Sequence, residues 1–378
     1  MVHDYLKEYG GAERVLEALH EIWPQAPIYT LVYLPQHLGP HQERLKSWEI
    51  RPIIPRWLPL TAKLISPLRL LAPLLFRRLN LTDYDLVIVS ATGAYTPNLI
   101  KTKRGAHLCY CHTPPRYLYG LPTAREWRKH WWVKIPAEIA NHFLRLVDFL
   151  SAQKVDFFIA NSKNTAARIK KFYRQEAKVI YPPVEINHQP SIINHQSSAY
   201  FLTGGRLARP KRIDLVVAAC TELALPLKVF GRLFAGYGKE LRRMAGPTIE
   251  FLGEVSDQEL AQLYAGCQAF IFSAEEEDFG LVPVEAMNYG KPVIALRSGG
   301  VVESVIAPSS ARVAKGEAAT GIFFDEPTVE SLIKALKRFK SLKFRPEACR
   351  RQAKKFSKEK FKKEIKKFVE KRCRSCQK

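Results

Sequence analysis

A chain of 378 residues exceeds what one ordinary hydrophobic core organises, so two domains are expected. A composition of 47% hydrophobic and 25% charged residues excludes a disordered chain, and no run of eighteen apolar residues is present to span a bilayer. The formal net charge of +23 is concentrated at one end: residues 334–378 hold 20 Lys/Arg against 4 Asp/Glu, a net of +16, which leaves +7 for everything before.

In chain order, the first expected helix covers 11–22, after a loop at 7–11. A strand should precede that loop, yet only six residues do, so the strand is either unusually short or lies upstream. Strands follow at 28–33, 86–90, 107–111, 156–160 and 179–181, with helices over 136–154 and 164–173. In the second half, strands at 200–203, 227–230, 249–252, 269–272, 293–295 and 321–324 alternate with helices near 212–223, 257–265, 282–289 and 330–340. Alternation of this kind implies an α/β fold of parallel sheets, whose ligands bind beyond the carboxyl ends of the strands. Residues 184–199 are polar, keep neither period and duplicate the tetrapeptide Ile-Asn-His-Gln, so His188 and His195 read as linker rather than as metal ligands. The expected organisation is a domain over 1–184, a linker over 185–199, a second domain over 200–345 and a basic tail over 346–378. Seven scattered cysteines make no disulfide framework, and the N-terminus lacks a signal-peptide layout, so a cytoplasmic location is expected.

The most informative window is 275–300, EEEDFGLVPVEAMNYGKPVIALRSGG. Glu277 and Glu285 are separated by seven residues, the first in a loop and the second a turn inside a helix that begins near Leu281. Carboxylates so placed accept hydrogen bonds from the hydroxyls of one ligand. The backbone N–H groups of Phe279, Gly280, Leu281 and Val282 at the helix start suit a phosphate. The same acids serve equally as a cluster that stabilises the helix N-terminus, and their spacing leaves both readings open.

Residues 277–303, EDFGLVPVEAMNYGKPVIALRSGGVVE, resemble the signature of the group 1, or family 4, retaining glycosyltransferases. HDYLKEYGGAERVL, CYCHTPPRYLYG, VDFFIANSKNTAARIKKFY, VIYPPVE and GGRLARPKRIDL extend the resemblance over almost the whole chain, in the family's order. The HDYL, CHTPPRY and YPPV variants are most similar to the branch of mannosyltransferases that use GDP-mannose. The resemblance implies the GT-B architecture: two Rossmann-like domains with parallel sheets facing across a cleft, and a C-terminal helix crossing back to the first domain. It implies that Gly10 and Gly11 are the loop glycines approached by the donor diphosphate and that Arg206 and Lys211 neutralise it. Glu277 then faces the anomeric carbon, Glu285 grips the donor ribose, and His112 lies beside the reacting sugar. Glu303 orients the donor loop or simply stabilises its own helix, while Arg209 and Arg212 are expected to face solvent. A retaining transfer that uses neither metal nor cofactor is implied, with a nucleotide-diphosphate sugar as donor, GDP-mannose first among them, and a lipid-linked or glycan acceptor.

Two basic segments bear on partners. Residues 51–81 mix Trp, Leu, Ile and Pro with basic residues and no acid, a pattern suited to a lipid interface or to ordinary packing. In the tail, Phe356, Phe361, Ile365 and Phe368 recur at near-helical intervals among lysines. An anionic membrane surface is the expected partner, with peripheral attachment at the inner face, and no nucleic acid is expected. Cys373 and Cys376 read as an exposed terminal pair rather than a metal or redox site. An epimerase-like enzyme of the same architecture, or a silent sugar-nucleotide binder, remains the alternative.

Overall fold

Runs such as VIVSA (β4, Val87–Ala91) and HLCYC (β5, His107–Cys111) carry no polar face, and both are buried on both sides as central parallel strands. The protein is described here by a computed structural model covering residues 1–55, 68–123, 131–186, 200–234, 236–314 and 316–376. Among these residues the chain forms two compact units.

The first unit comprises residues 1–121, 127–183 and 358–378. Its sheet adds β1 (Val2–His3), β2 (Ile28–Thr30), β3 (Ile50–Pro52), β6 (Phe157–Ala160) and β7 (Ala177–Val179) to β4 and β5. The order is β3-β2-β1-β4-β5-β6-β7, and every pairing is parallel. The first strand therefore exists and is two residues long. It holds its place because Val2 pairs with both Tyr29 and Val89 at the centre of the sheet. The sequence reading missed β3 and the helices Leu68–Arg78 and Tyr237–Met244, the first because a proline and an arginine interrupt its apolar pattern.

The second unit carries β8 (Phe201–Gly204), β9 (Leu227–Phe230), β10 (Ile249–Gly253), β11 (Phe270–Phe272), β12 (Val293–Leu296) and β13 (Gly321–Phe324) in the order β10-β9-β8-β11-β12-β13, again all parallel. The main segment of this unit runs from Val184 to Ser357, and these two end residues form a parallel bridge. Residues 346–357 thus belong to the second unit, and the basic tail is not one piece. Its last helix, Lys358–Cys376, packs in the first unit, with Phe361, Ile365 and Val369 buried against Val15, Leu19, Leu108 and Tyr110. Packing thus explains the apolar period of the tail, while the Lys358 and Lys362 ammonium groups pair with Glu21 at 3.0 and 2.9 Å. Most of the linker, with His188 and His195, lies outside the described residues, as do the side chains of Cys373 and Cys376.

Candidate functional site

In each sheet the order of the strands reverses once. β1 is followed in space by β4 on one side and β2 on the other, and β8 likewise lies between β9 and β11. Chains that leave neighbouring strands toward opposite faces open a crevice at the carboxyl ends, which is where ligands of open α/β sheets bind. Of the residues singled out by sequence, Gly10, Arg206, Lys211 and Glu277 fall on the loops at these two points, while His112 follows the next strand, β5.

In the second unit the loop after β8 and the loop after β11 are tied together. The Ser273 hydroxyl lies 2.8 Å from the carbonyls of both Lys211 and Arg212, and Glu275 donates its N–H to the Pro210 carbonyl at 2.9 Å. Across this seam Lys211 Nζ donates to Glu277 Oε2 at 2.6 Å, with both side chains partly exposed. The Lys211 ammonium also stands 5.5 Å from the centre of the Phe272 ring. Arg206 is exposed on the same β8 loop. Arg209 and Arg212 are partly exposed, as expected, but neither is a free cation. Arg209 pairs with Glu240, and Arg212 with Asp214 at 3.1 Å and with Glu275, so their charges are spent on holding the loop.

Beyond Glu277 the chain turns into the helix Leu281–Asn288 through Gly280, whose φ of +85° suits glycine. Among the described residues no side chain caps this helix and its first turn holds no acid, and a helix start of this kind suits an anion. Phe279 is buried against Phe356. Glu285, half-buried, accepts a hydrogen bond from the Tyr264 hydroxyl at 2.9 Å. The turn at Gly299 and Gly300 lies directly on the acidic loop: a Cβ on Gly299 would stand 2.2 Å from the Glu277 carbonyl oxygen, and Gly300 donates its N–H to that same oxygen at 2.8 Å. Glu303 lies one turn further, its own carbonyl accepting from Arg312 at 3.3 Å.

The first unit holds a buried polar chain that sequence reasoning caught only at one end. His112, just past β5, places Nε2 2.9 Å from Ser90 Oγ, and Ser90 Oγ lies 3.0 Å from His3 Nδ1. The other nitrogen of His3 is 3.5 Å from Glu13, long for a hydrogen bond but close enough for charge to act. Burial, with His3 adding to it, pushes the His112 imidazole down to about 3, so the ring is neutral at physiological pH. Asp4 is wholly buried, and its Oδ2 accepts from the N–H groups of Thr92, Ala94 and Tyr95 and the Thr92 hydroxyl at 2.6 to 3.4 Å. Burial raises its pKa, and Oδ1 has no hydrogen-bond partner among the described residues. At the start of the helix Gly11–His20, the Gly10 N–H donates to Glu13 Oε2 at 2.8 Å while Gly11 is exposed. The Asp-x-Asp triplet Asp83-Tyr84-Asp85 precedes β4, at the opposite end of the sheet, where Asp85 is fully exposed and pairs with Lys103 at 3.2 Å.

Structure therefore brings Lys211 and Glu277 into contact and sets Arg206, Gly280 and Glu285 on the same pair of loops and the helix they lead into. It sets His112 and Gly10 at the carboxyl ends of the first sheet. His3, Asp4, Ser90, Tyr264 and Ser273 were missed. His3 and Asp4 lie in the quoted HDYL motif, which was the available signal; Ser90, Tyr264 and Ser273 had none.

Two family descriptions match the chain in succession, Glycosyltransferase Family 4 over residues 9–188 and Glycosyl transferases group 1 over residues 185–356. The alpha-1,3/1,6-mannosyltransferase ALG2 of Mus musculus is 26% identical over 339 residues, covering 79% of this chain and 79% of its own length. That of Candida glabrata is 25% identical over 277 residues, covering 60% of this chain and 58% of its own length. Among solved structures, Anabaena Alr3699/HepE in complex with UDP superposes with a TM-score of 0.67 at 19% identity, covering 98% of this chain and 100% of its own. Sucrose-phosphate synthase (tll1590) from Thermosynechococcus elongatus gives 0.68 at 17% identity, with 98% of each chain covered. At such identities these structures share the fold, and the α/β GT-B fold expected from the sequence is the fold of this chain.

Proposed function

The chain belongs to the group 1, family 4 glycosyltransferases, and from that premise we propose that it is a retaining, metal-independent enzyme that moves mannose from GDP-mannose to a lipid-linked or glycan acceptor. The observation that carries the reading is the Lys211–Glu277 pair, set beside the uncapped start of the helix Leu281–Asn288. The donor diphosphate takes the place of the Glu277 carboxylate on Lys211, with Arg206 and the N–H groups of Gly280 and Leu281 as its further partners. Departure of the nucleoside diphosphate builds negative charge on oxygen, and fixed cations with oriented amides stabilise that charge without reorganisation. These two cations supply what a divalent ion supplies elsewhere.

Glu277, released from Lys211, accepts hydrogen bonds from sugar hydroxyls beside the anomeric carbon. Glu285, oriented by Tyr264, accepts from the ribose. Gly10, Gly11 and a neutral His112 are the first unit's contribution, the imidazole hydrogen-bonding the sugar while the leaving phosphate takes the acceptor proton. The mannosyltransferases among the relatives support mannose, and a lipid-linked acceptor fits peripheral attachment at the cytoplasmic face of a membrane. No helix among the described residues is long and apolar enough to cross one.

A thermal-shift panel of GDP-, UDP- and ADP-sugars tests the donor, repeated on Glu285→Ala and Arg206→Ala. GDP-sugars should stabilise the wild type and neither variant; stabilisation by UDP-sugars instead overturns the GDP-mannose assignment. Inverted product stereochemistry, or loss of transfer in EDTA, overturns the mechanism.

A further inference from the structure

The helix Trp131–Ala152 presents a face that water does not suit. Ile135, Ile139, Phe143, Leu146 and Leu150 are each more than half exposed. At helical spacing they fall, with His142, on one arc of about 100°, along roughly 22 Å of helix. That arc holds no Asp, Glu, Lys or Arg, because Glu138, Arg145 and the buried Asp148 point elsewhere. A solvated helix face is ordinarily charged, and a contiguous exposed apolar stripe marks an interaction surface.

The helix Leu68–Arg78 repeats the pattern. Leu70, Leu71 and Leu74 are also more than half exposed, and the exposed Arg77 and Arg78 continue the same arc at its C-terminal end. It contains no acidic residue. Both helices pack on the short turn Pro97–Leu99, so the two apolar faces belong to neighbouring elements of the first unit.

We propose that these two faces form the surface by which the protein lies on an anionic lipid bilayer, the leucines, isoleucines and phenylalanine entering the acyl boundary while Arg77 and Arg78 meet headgroup phosphates. Charge chooses this occupant. Apolar side chains ending in arginines, without acid on either face, match an interface that is greasy inside and negative at its rim. The opposite side of the helix Trp131–Ala152 carries Asn141, Asp148 and Ser151 into the protein interior, which suits a helix lying in the interface rather than crossing it. The inference deepens the peripheral attachment within the proposed function, and it relocates that attachment from the lysine-rich tail.

The test is co-sedimentation of the full chain with vesicles of phosphatidylcholine, with and without phosphatidylglycerol. Wild type should partition onto the anionic vesicles. Phe143→Asp with Leu146→Asp should weaken partitioning by about tenfold or more, since each removes an apolar side chain from the acyl boundary. Arg77→Glu with Arg78→Glu should abolish the preference for phosphatidylglycerol. Both pairs are exposed, so melting temperatures should match wild type, and stabilisation by the nucleotide sugar should persist. Wild-type failure to bind vesicles, undiminished binding by the Asp variant, or a wild-type dimer that the Asp variant splits into monomers would each overturn the proposal. Loss of nucleotide-sugar stabilisation in every form, with vesicle binding intact, would instead sink the proposed function alone.

Discussion

Ser90 Oγ lies 2.9 Å from His112 Nε2, so the ring proposed to touch the sugar is held from behind by a hydroxyl on the neighbouring strand. Ser90→Ala leaves that nitrogen buried without its partner, at about 1–3 kcal/mol in stability. Transfer should fall by about tenfold while nucleotide-sugar affinity stays, as steady-state kinetics beside a thermal-shift titration would reveal. Unchanged transfer would remove His112 from the reaction.

Neutral His112 also fixes a pH expectation. With the imidazole at about 3, no limb of the transfer profile between about pH 5 and 8 should come from it, and His112→Gln should leave the shape of the profile unaltered.

Stability has its own pH dependence through His107. Burial depresses its pKa from 6.5 to about 4, and Nε2 hydrogen-bonds Asn98 at 3.1 Å. The unfolded chain then binds more protons between those values, so stability is full above about pH 6.5 and is lost as pH falls toward 4. The loss is about 3 kcal/mol for a group this buried. Urea melts of wild type and His107→Gln across that range check it: the variant should be less stable at neutral pH but lose less on acidification.

Lys211→Ala removes one of two proposed phosphate cations, and transfer should fall by about a hundredfold or more. Glu277→Gln should be similarly slow yet bind the nucleotide well. Neither change should move the melting temperature much, since a partly exposed ion pair contributes little. Gly299→Ala should damage transfer from a distance, because its Cβ would displace the Glu277 carbonyl and the backbone of the acidic loop with it.

Phe361→Ala, in the last helix, should destabilise the first unit by about 3–5 kcal/mol, measured by chemical denaturation.

Strand and helix alternation was legible because parallel strands buried on both faces show as short apolar runs, and β4, β5, β6, β8, β9 and β12 all do. β1 was not, since two residues carry no period and its place depends on partners at Tyr29 and Val89. At the candidate site, Glu277, Glu285 and Lys211 stood out through their motifs. Their geometry did not, because the Lys211–Glu277 contact spans 66 positions and the fold alone creates it. Arg212 is a second case: it keeps the partial exposure expected of it, yet Glu275, distant in the chain, claims its guanidinium.

The first unit takes Phe361, Ile365 and Val369 into a cluster with Val15 and Leu19, residues separated by nearly the entire polypeptide. On the ribosome, roughly the first half of the product must wait, unfinished, until the codons for residues 358–376 have been read. A nascent chain stalled at Ser357 leaves that amino-terminal module with an open greasy trough, a substrate for holdase chaperones and proteases until synthesis resumes.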